Sequence, residues 1–172
     1  MFNDKRDHTC AFTGPRQLPF PQRPGNPNFD DLCLRLQKEI TLLIEQGVTD
    51  FYCGMALGCD QLCAEILLGL KREFPRVRLH AAVPFPGQAI RWAPAQRARY
   101  SGLLHRCDTV TCLYESYRED CYLARNRWMV DHASQLLAVC DPGRIPWRSG
   151  TGATVRYAQA QGKRVAFVSY SP

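Results

Sequence analysis

Long apolar segments are missing from this chain of 172 residues. No stretch approaches the roughly 20 consecutive apolar residues that a membrane-spanning helix needs, so no membrane-embedded part is predicted. Four of the first seven residues are charged, and this stretch lacks the apolar segment of a secretory signal. These absences favour a cytoplasmic protein with a loose, charged amino-terminal tail.

Metal-binding spacings are missing as well. The four histidines form no HxH or HxxxH pair, and the nine cysteines contain no Cys-x₂-Cys spacing. We therefore predict no metal site and no cofactor. Cys10, Cys53, Cys112 and Cys140 fall inside predicted apolar strands, where a reduced thiol acts as a small hydrophobic group. Reduced thiols agree with a cytoplasmic location.

Lysine is scarce, since it supplies only four of the 22 basic residues in a chain of net charge +6. Arginine, which supplies the others, holds phosphate or carboxylate through two parallel hydrogen bonds. The basic residues are spread along the chain, and no basic run with interleaved aromatic residues is present. A series on one predicted helix, Arg97, Arg99 and Arg106, is typical of a solvated face. The charge permits a nucleotide ligand, whereas nucleic acid is not expected as a partner.

Predicted strands and helices alternate from one end of the chain to the other. With 45% hydrophobic residues and no internal repeat or linker, this alternation predicts an α/β fold. We expect a single Rossmann-like domain over residues 1–172, with a mostly parallel sheet of about six strands and helices on both faces. The predicted strands are about 8–13, 49–53, 76–83, 108–113, 135–140 and 164–168. The predicted helices are about 31–46, 59–73, 93–106, 119–133 and 151–161.

A proline-rich segment, residues 14–29, separates the first predicted strand from the first helix. Its five prolines predict a loop without regular structure. A loop of this length is usually functional or mobile, and its position makes it a candidate lid. Asp30 is predicted to cap the helix that follows.

Glycine-rich turns follow three of the predicted strands, at Thr13-Gly14-Pro15-Arg16, at residues 54–60 and at residues 149–152. The carboxyl ends of parallel strands lie at one edge of an open α/β sheet, where ligands bind. Glycine lets the backbone approach a ligand closely, and the free N–H groups at a helix start favour an anion such as phosphate. We therefore predict that a phosphate-bearing ligand binds at this edge.

Side chains complete the predicted site, each with a structural alternative. The Arg16 guanidinium suits phosphate but is also expected in a solvated loop, and Asp60 suits a ribose hydroxyl or a helix cap. Arg125 either reaches a phosphate or pairs with surface aspartates, Asp120 or Asp131. Tyr114 stacks on a base or packs. The predicted ligand-binding residues are Gly14, Arg16, Gly54, Gly58, Asp60, Tyr114, Arg125, Gly150, Thr151 and Gly152.

The order of these motifs resembles the YpsA-like branch of the SLOG superfamily, which also holds the lonely-guy phosphoribohydrolases and the DNA-processing protein DprA. The resemblance is carried by residues 13–16, 54–60, 125–131 and 150–158, and it extends over roughly residues 8–168. It implies a Rossmann-like fold with a pocket for a nucleotide or a nucleotide-derived ligand.

One departure from the related enzymes concerns catalysis. Lonely-guy enzymes carry Pro-Gly-Gly-x-Gly-Thr-x-x-Glu, whose glutamate serves glycosidic cleavage, but here Thr154 stands at the glutamate position. Arg125 and Met129 match the Arg-Lys-x-x-Met helix of those enzymes. The resemblance therefore implies that the phosphate-binding part of the site is retained and that the catalytic acid is missing. Asp60, Glu65 or Glu119 would have to replace this acid.

Three functions follow, in this order. The first is a binding or sensor domain for a nucleotide-like small molecule, without a membrane partner and with homo-oligomerisation left open. The alternative is an N-glycosidic hydrolase acting on a nucleoside monophosphate. The third is a nucleic-acid-binding module.

Overall fold

The computed structural model describes residues 5–171, in which six strands alternate with five α-helices. The strands are β1 Thr9–Thr13, β2 Asp50–Cys53, β3 Arg78–Val83, β4 Thr109–Cys112, β5 Gln135–Val139 and β6 Arg164–Val168. The helices are α1 Pro27–Glu45, α2 Cys59–Leu70, α3 Pro94–His105, α4 Cys121–His132 and α5 Gly150–Ala160. A short 3₁₀ helix, Lys5–His8, precedes β1. Part of the predicted amino-terminal tail, residues 1–4, lies outside the described residues.

All pairings in the sheet are parallel, and the strand order is β4-β3-β2-β1-β5-β6. The central strand β1 pairs on one side with β2, where Cys10 faces Phe51, and on the other with β5, where Ala11 faces Leu136. The predicted α/β fold, Rossmann-like with a parallel sheet of six strands, is confirmed. The order of strands reverses between β1 and β5, which is where ligands bind in open α/β sheets.

Two hydrophobic cores cover the two faces of the sheet. Cys10 and Phe12 of β1 pack with helices α1, α2 and α3, whereas Ala11 between them packs with α4 and α5. Both faces of β1 are therefore buried, which accounts for its uninterrupted apolar sequence. The edge strand β4 is largely exposed.

The first helix begins earlier than predicted. Asn26 is its N-cap, and the Asn26 side chain accepts a hydrogen bond from the Phe29 N–H at 3.2 Å. Pro27 takes the first helical position, where its missing N–H has no cost. The prediction that Asp30 caps this helix is wrong, because Asp30 lies in the first turn and accepts from the Gly25 N–H.

The nine cysteines are free thiols. Burial raises the pKa of the Cys10 thiol to about 12 and that of Cys107 to about 11. Cys112 is exposed because β4 is an edge strand, contrary to its expected burial. Within residues 5–171 no group of three or more potential metal-ligating side chains is present. No helix in that range combines the length and apolarity needed to cross a membrane.

A polar network joins the amino ends of β2, β3 and β4, at the edge of the sheet opposite the carboxyl ends of the strands. Asp50 accepts hydrogen bonds from the Thr49 hydroxyl at 2.6 Å and pairs with Arg78 at 2.9 Å. The Asp50 carboxylate also lies 2.7 Å from His80 Nε2. Burial alone would raise the pKa of Asp50, but the hydrogen bonds from Thr49, His80 and Arg78 outweigh it and hold this pKa below its usual range.

We predict that Asp50 makes the fold sensitive to acid. A carboxyl whose pKa is lower in the folded state stabilises the fold above its unfolded pKa, about 3.9, and this stability is lost as the pH falls through the folded pKa. Asp50→Asn should therefore lower the free energy of unfolding at neutral pH and flatten its decline below about pH 4. Urea titrations across this range measure both effects. An unchanged slope in the variant would contradict the prediction.

Candidate functional site

A cleft of about 560 Å³ opens at the carboxyl edge of the sheet, where the strand order reverses. One wall is the turn after β1, residues 13–16, and the opposite wall is the start of α5 with the loop before it. Helix α4 contributes a third wall. The lining residues used below are Gly14, Arg16, Asp60, Glu119, Tyr122, Arg125, Asn126, Pro146, Ser149, Gly150 and Thr151.

The first turn of α5 presents hydrogen-bond donors to this cleft. Ser149 is the N-cap, and its hydroxyl oxygen accepts from the Gly152 N–H at 3.1 Å. No described residue accepts a hydrogen bond from the backbone N–H of Gly150 or Thr151, and both residues line the cleft. Free N–H groups at the positive end of a helix form a ready site for an anion.

The two glycines of this turn have different roles. A Cβ on Gly152 would lie 2.3 Å from the Pro146 carbonyl oxygen, so its lack of a side chain lets α5 pack against the preceding loop. A Cβ on Gly150 would meet no atom within 4 Å. Gly150 therefore keeps the approach to the N–H groups open, whereas Gly152 lies behind the lining and not in it.

Arg125 is an internal anchor as well as part of the lining. The residue is only 3% exposed. Its Nη1 donates to the carbonyl oxygens of Gly54 and Ala82, and to Gln88 Oε1, while Nε donates to Asn126 at 2.8 Å. Within the described part of the chain Nη2 has no hydrogen-bond acceptor. The expected alternative, pairing with Asp131 or Asp120, is not observed, since the described partners of Arg125 are Gly54, Ala82, Gln88 and Asn126.

Gly54 serves this anchor and does not line the cleft. A Cβ at Gly54 would lie 2.6 Å from Cζ of Arg125, so glycine leaves the space that the guanidinium fills. Gly58 is also behind the lining. Its φ of +84° suits glycine, and a Cβ there would lie 2.4 Å from the Arg16 carbonyl oxygen. The turn at residues 54–60 thus packs against the turn at residues 13–16.

Asp60 lies in the first turn of α2 and lines the cleft although it is buried. Gly58, not Asp60, is the N-cap; Asp60 Oδ2 accepts from the Ala56 N–H at 3.2 Å. Burial raises the pKa of Asp60, and the nearby charges of Arg125 and Arg16 partly offset this rise. Burial likewise lowers the pKa of Arg125, with Asp60 opposing the shift.

Arg16 is exposed at the mouth of the cleft. Its guanidinium lies 5.0 Å from the centre of the Tyr122 ring, in a cation–π contact. Tyr122 and Asn126 were not predicted as site residues, yet both line the cleft. They are four apart on α4 and adjoin Arg125, so helical periodicity around Arg125 was the available signal.

Two residues considered in the sequence analysis, Tyr114 and Glu65, lie outside the cleft, and a third, Thr154, supplies no acid. Tyr114 is outside the cleft, with the Arg118 guanidinium 4.9 Å from its ring centre. Glu65 pairs with Arg99 through two 2.7 Å contacts and is outside the lining. Thr154 is 2% exposed, and its hydroxyl donates to the Gly150 carbonyl. Asp60 and Glu119 are therefore the acids among the described lining residues.

The fold and the arrangement of these turns agree with the predicted SLOG-type scaffold. The chain belongs to the YspA SLOG family, which it matches over residues 25–170. The predicted resemblance is thereby confirmed.

Several relatives share part of the sequence. A UPF0398 protein of Bacillus pumilus is 32% identical over 124 residues, covering 70% of this chain and 66% of the relative. A UPF0398 protein of Halalkalibacterium halodurans is 30% identical, covering 61% of this chain and 57% of the relative. The prophage-derived protein YoqJ of Bacillus subtilis is 27% identical, covering 73% and 81%. The chain spans less than two thirds of the length of these UPF0398 proteins.

Two solved structures share the fold. DprA from Streptococcus pneumoniae has a TM-score of 0.62 at 17% identity, covering 92% of this chain and 49% of DprA. DprA from Helicobacter pylori has a TM-score of 0.58 at 18% identity, covering 92% and 64%. The latter was described for its single-stranded DNA binding mode. This finding contradicts the expectation that nucleic acid is not a partner class, because a protein of this fold binds single-stranded DNA.

We predict that Gly150 and Gly152 respond differently to a side chain. Gly150→Val should change the free energy of unfolding by no more than about 0.5 kcal/mol, as for other exposed substitutions. Gly152→Val should destabilise by at least about 1–3 kcal/mol, because the side chain is forced against the Pro146 carbonyl. Chemical denaturation of both variants measures the difference. Equal losses would show that the loop before α5 does not depend on close packing at Gly152.

Proposed function

We propose that the protein binds single-stranded nucleic acid at the carboxyl edge of its sheet, with one phosphate at the start of α5. The observation that carries the proposal concerns one cleft. Two residues with unpaired backbone N–H groups, Gly150 and Thr151, line it together with Arg16. Backbone N–H groups and arginine are the usual ligands of nucleic-acid phosphates. Neither type of donor selects a base sequence.

The surroundings of the cleft support a strand rather than an isolated small molecule. The loops on two sides carry exposed arginines, Arg23 in the loop before α1, and Arg144 and Arg148 in the loop before α5. Aromatic rings lie next to arginines in space, as in the contacts of Arg16 with Tyr122 and of Arg156 with Trp147. Such pairs are typical of surfaces that follow a single strand. The single-stranded DNA binding of Helicobacter pylori DprA agrees with this choice.

A free nucleotide is the second candidate. The cleft volume of about 560 Å³ lies in the range of small-molecule pockets, which favours a single nucleotide. For a free ribonucleotide, Asp60 and Glu119, which line the same cleft, would accept hydrogen bonds from the ribose hydroxyls. We further propose that the protein works in the cytoplasm, in agreement with its free thiols.

We predict that Arg16→Ala weakens binding of an oligothymidylate by about 1.5–3 kcal/mol, the value of a hydrogen bond to a charged group. The slope of log affinity against log salt should fall by about 1, because one phosphate contact is lost. Fluorescence anisotropy over a range of salt concentrations measures both quantities.

Arg97→Ala is the matched control, since Arg97 is exposed on α3 and carries the same charge. Arg125→Ala is unsuitable because it removes a donor from buried carbonyl groups and so threatens the fold itself. Gly150→Val should also weaken binding while the fold is kept. If the wild type binds the oligonucleotide but Arg16→Ala and Gly150→Val bind it equally well, this cleft is not the phosphate site. If the wild type binds AMP or ADP and not the oligonucleotide, the second candidate replaces the first.

We predict no release of adenine from AMP above background. The residue at the position of the lonely-guy glutamate, Thr154, is buried and bonded within its own helix, so it provides no acid. The loss of a general acid or base typically costs about 10²–10⁴-fold in rate. Chromatographic assay of free adenine is the measurement. Release that disappears in Asp60→Asn or Glu119→Gln would instead establish a hydrolase with a relocated acid.

A further inference from the structure

We propose that Trp147 forms a base-stacking subsite beside the phosphate site, which a nucleobase of the bound strand occupies. The inference rests on the proposed function and adds a second contact of different chemistry. The observation behind this inference is a shallow pocket that is lined by Pro146, Trp147, Arg148 and Ser149. Pro146 and Ser149 also line the main cleft, so the two depressions adjoin.

The surroundings of Trp147 differ from those of the other two tryptophans. Trp92 packs edge-on against Tyr100 at 5.2 Å, and Trp128 stacks on His132 at 3.8 Å. Trp147 is 44% exposed, and its recorded ring contact is the Arg156 guanidinium at 6.0 Å. An exposed indole beside arginine is a suitable platform for a base, because every base has a flat π-face. Trp147 belongs to neither hydrophobic core, so core packing does not account for a tryptophan at this position.

The loop that carries Trp147 has a defined shape before any ligand binds. The Trp147 N–H donates to the Ile145 carbonyl at 2.8 Å, and the Ser149 N–H donates to the Pro146 carbonyl at 2.8 Å. The Ser149 hydroxyl donates to the same Pro146 oxygen at 2.7 Å. Close packing of Gly152 on Pro146 ties the loop to α5. A preformed platform loses little conformational entropy on binding.

Charge directs the strand toward this side of the cleft. Arg148 and Arg156 flank the indole and are exposed. The segment after β4, at the other side, exposes three acids, Glu115, Glu119 and Asp120. A polyanion is therefore attracted toward the loop before α5 and repelled from the segment after β4. Trp147 is two residues before the α5 N-cap, within about 7 Å along the chain, so one nucleotide unit connects phosphate and base.

The test compares two labelled probes of about 12 nucleotides, a length typical of single-strand sites. One is oligothymidylate, and the other is an abasic strand of the same length, which keeps the phosphates. Trp147→Ala should bind the thymidylate about 5- to 150-fold more weakly and the abasic strand as tightly as wild type. Trp147→Phe, which keeps a ring, should retain most of the affinity. Tyr117→Ala is the matched control, because Tyr117 is 62% exposed but belongs to the acidic segment.

Each outcome bears on a different part of the inference. Equal thymidylate binding by wild type and Trp147→Ala overturns the base subsite and leaves the phosphate site intact. An equal loss for both probes also overturns it, because the variant has then disturbed the loop. A loss in Trp147→Ala without any effect of Arg16→Ala or Gly150→Val supports the subsite and removes the phosphate assignment. If the wild type binds neither probe, the proposed function fails, and the subsite fails with it.

Discussion

The hydrogen bonds of the buried Arg125 guanidinium are the interactions on which the carboxyl edge of the sheet depends. The guanidinium donates to carbonyl groups at the ends of β2 and β3, Gly54 and Ala82, and to the Gln88 side chain in the segment after β3. The Gly54 carbonyl also accepts from Gln88 Nε2 at 3.3 Å. Such contacts matter because an unpaired buried carbonyl is costly. One side chain of α4 thereby fixes the positions of two strand ends. The turn that begins at Gly54 supports the turn after β1, so the shape of the cleft follows from this contact.

A second buried charge completes the support. Asp60 accepts from the Ala56 N–H in a turn that holds Met55 at a φ of +56°, a conformation that side chains rarely adopt. No direct ion pair joins Asp60 to Arg125 among the described residues, yet each reduces the cost of burying the other. Asp60 accepts from a backbone N–H, and Arg125 donates to two backbone carbonyls and to two side chains. The cleft is thus rigid at its base, and the exposed Arg16 is the part free to adapt to a ligand.

The sequence was sufficient for the fold and for the edge of the sheet at which the cleft opens. Apolar runs and their alternation with helices located the six strands, and β1 was clearest because a strand buried on both faces needs an uninterrupted apolar sequence. It was not sufficient for roles. Whether a glycine borders open space, as at Gly150, or makes room for a neighbour, as at Gly54 and Gly152, depends on atoms brought in from other elements. The pairing of arginine with aromatic rings was missed for the same reason: Arg16 and Tyr122 meet only in three dimensions, so a search for a contiguous run could not find them.

The unpaired N–H groups at the start of α5 belong to the main chain, and every residue type except proline supplies the same donor. A substitution can obstruct such a donor but cannot remove it. The proposed anion site at this position therefore depends on the connectivity of β5 and α5 and not on any particular side chain. Substitution of the arginines, acids and aromatic residues around the cleft can change what else is recognised, while the main-chain donors remain.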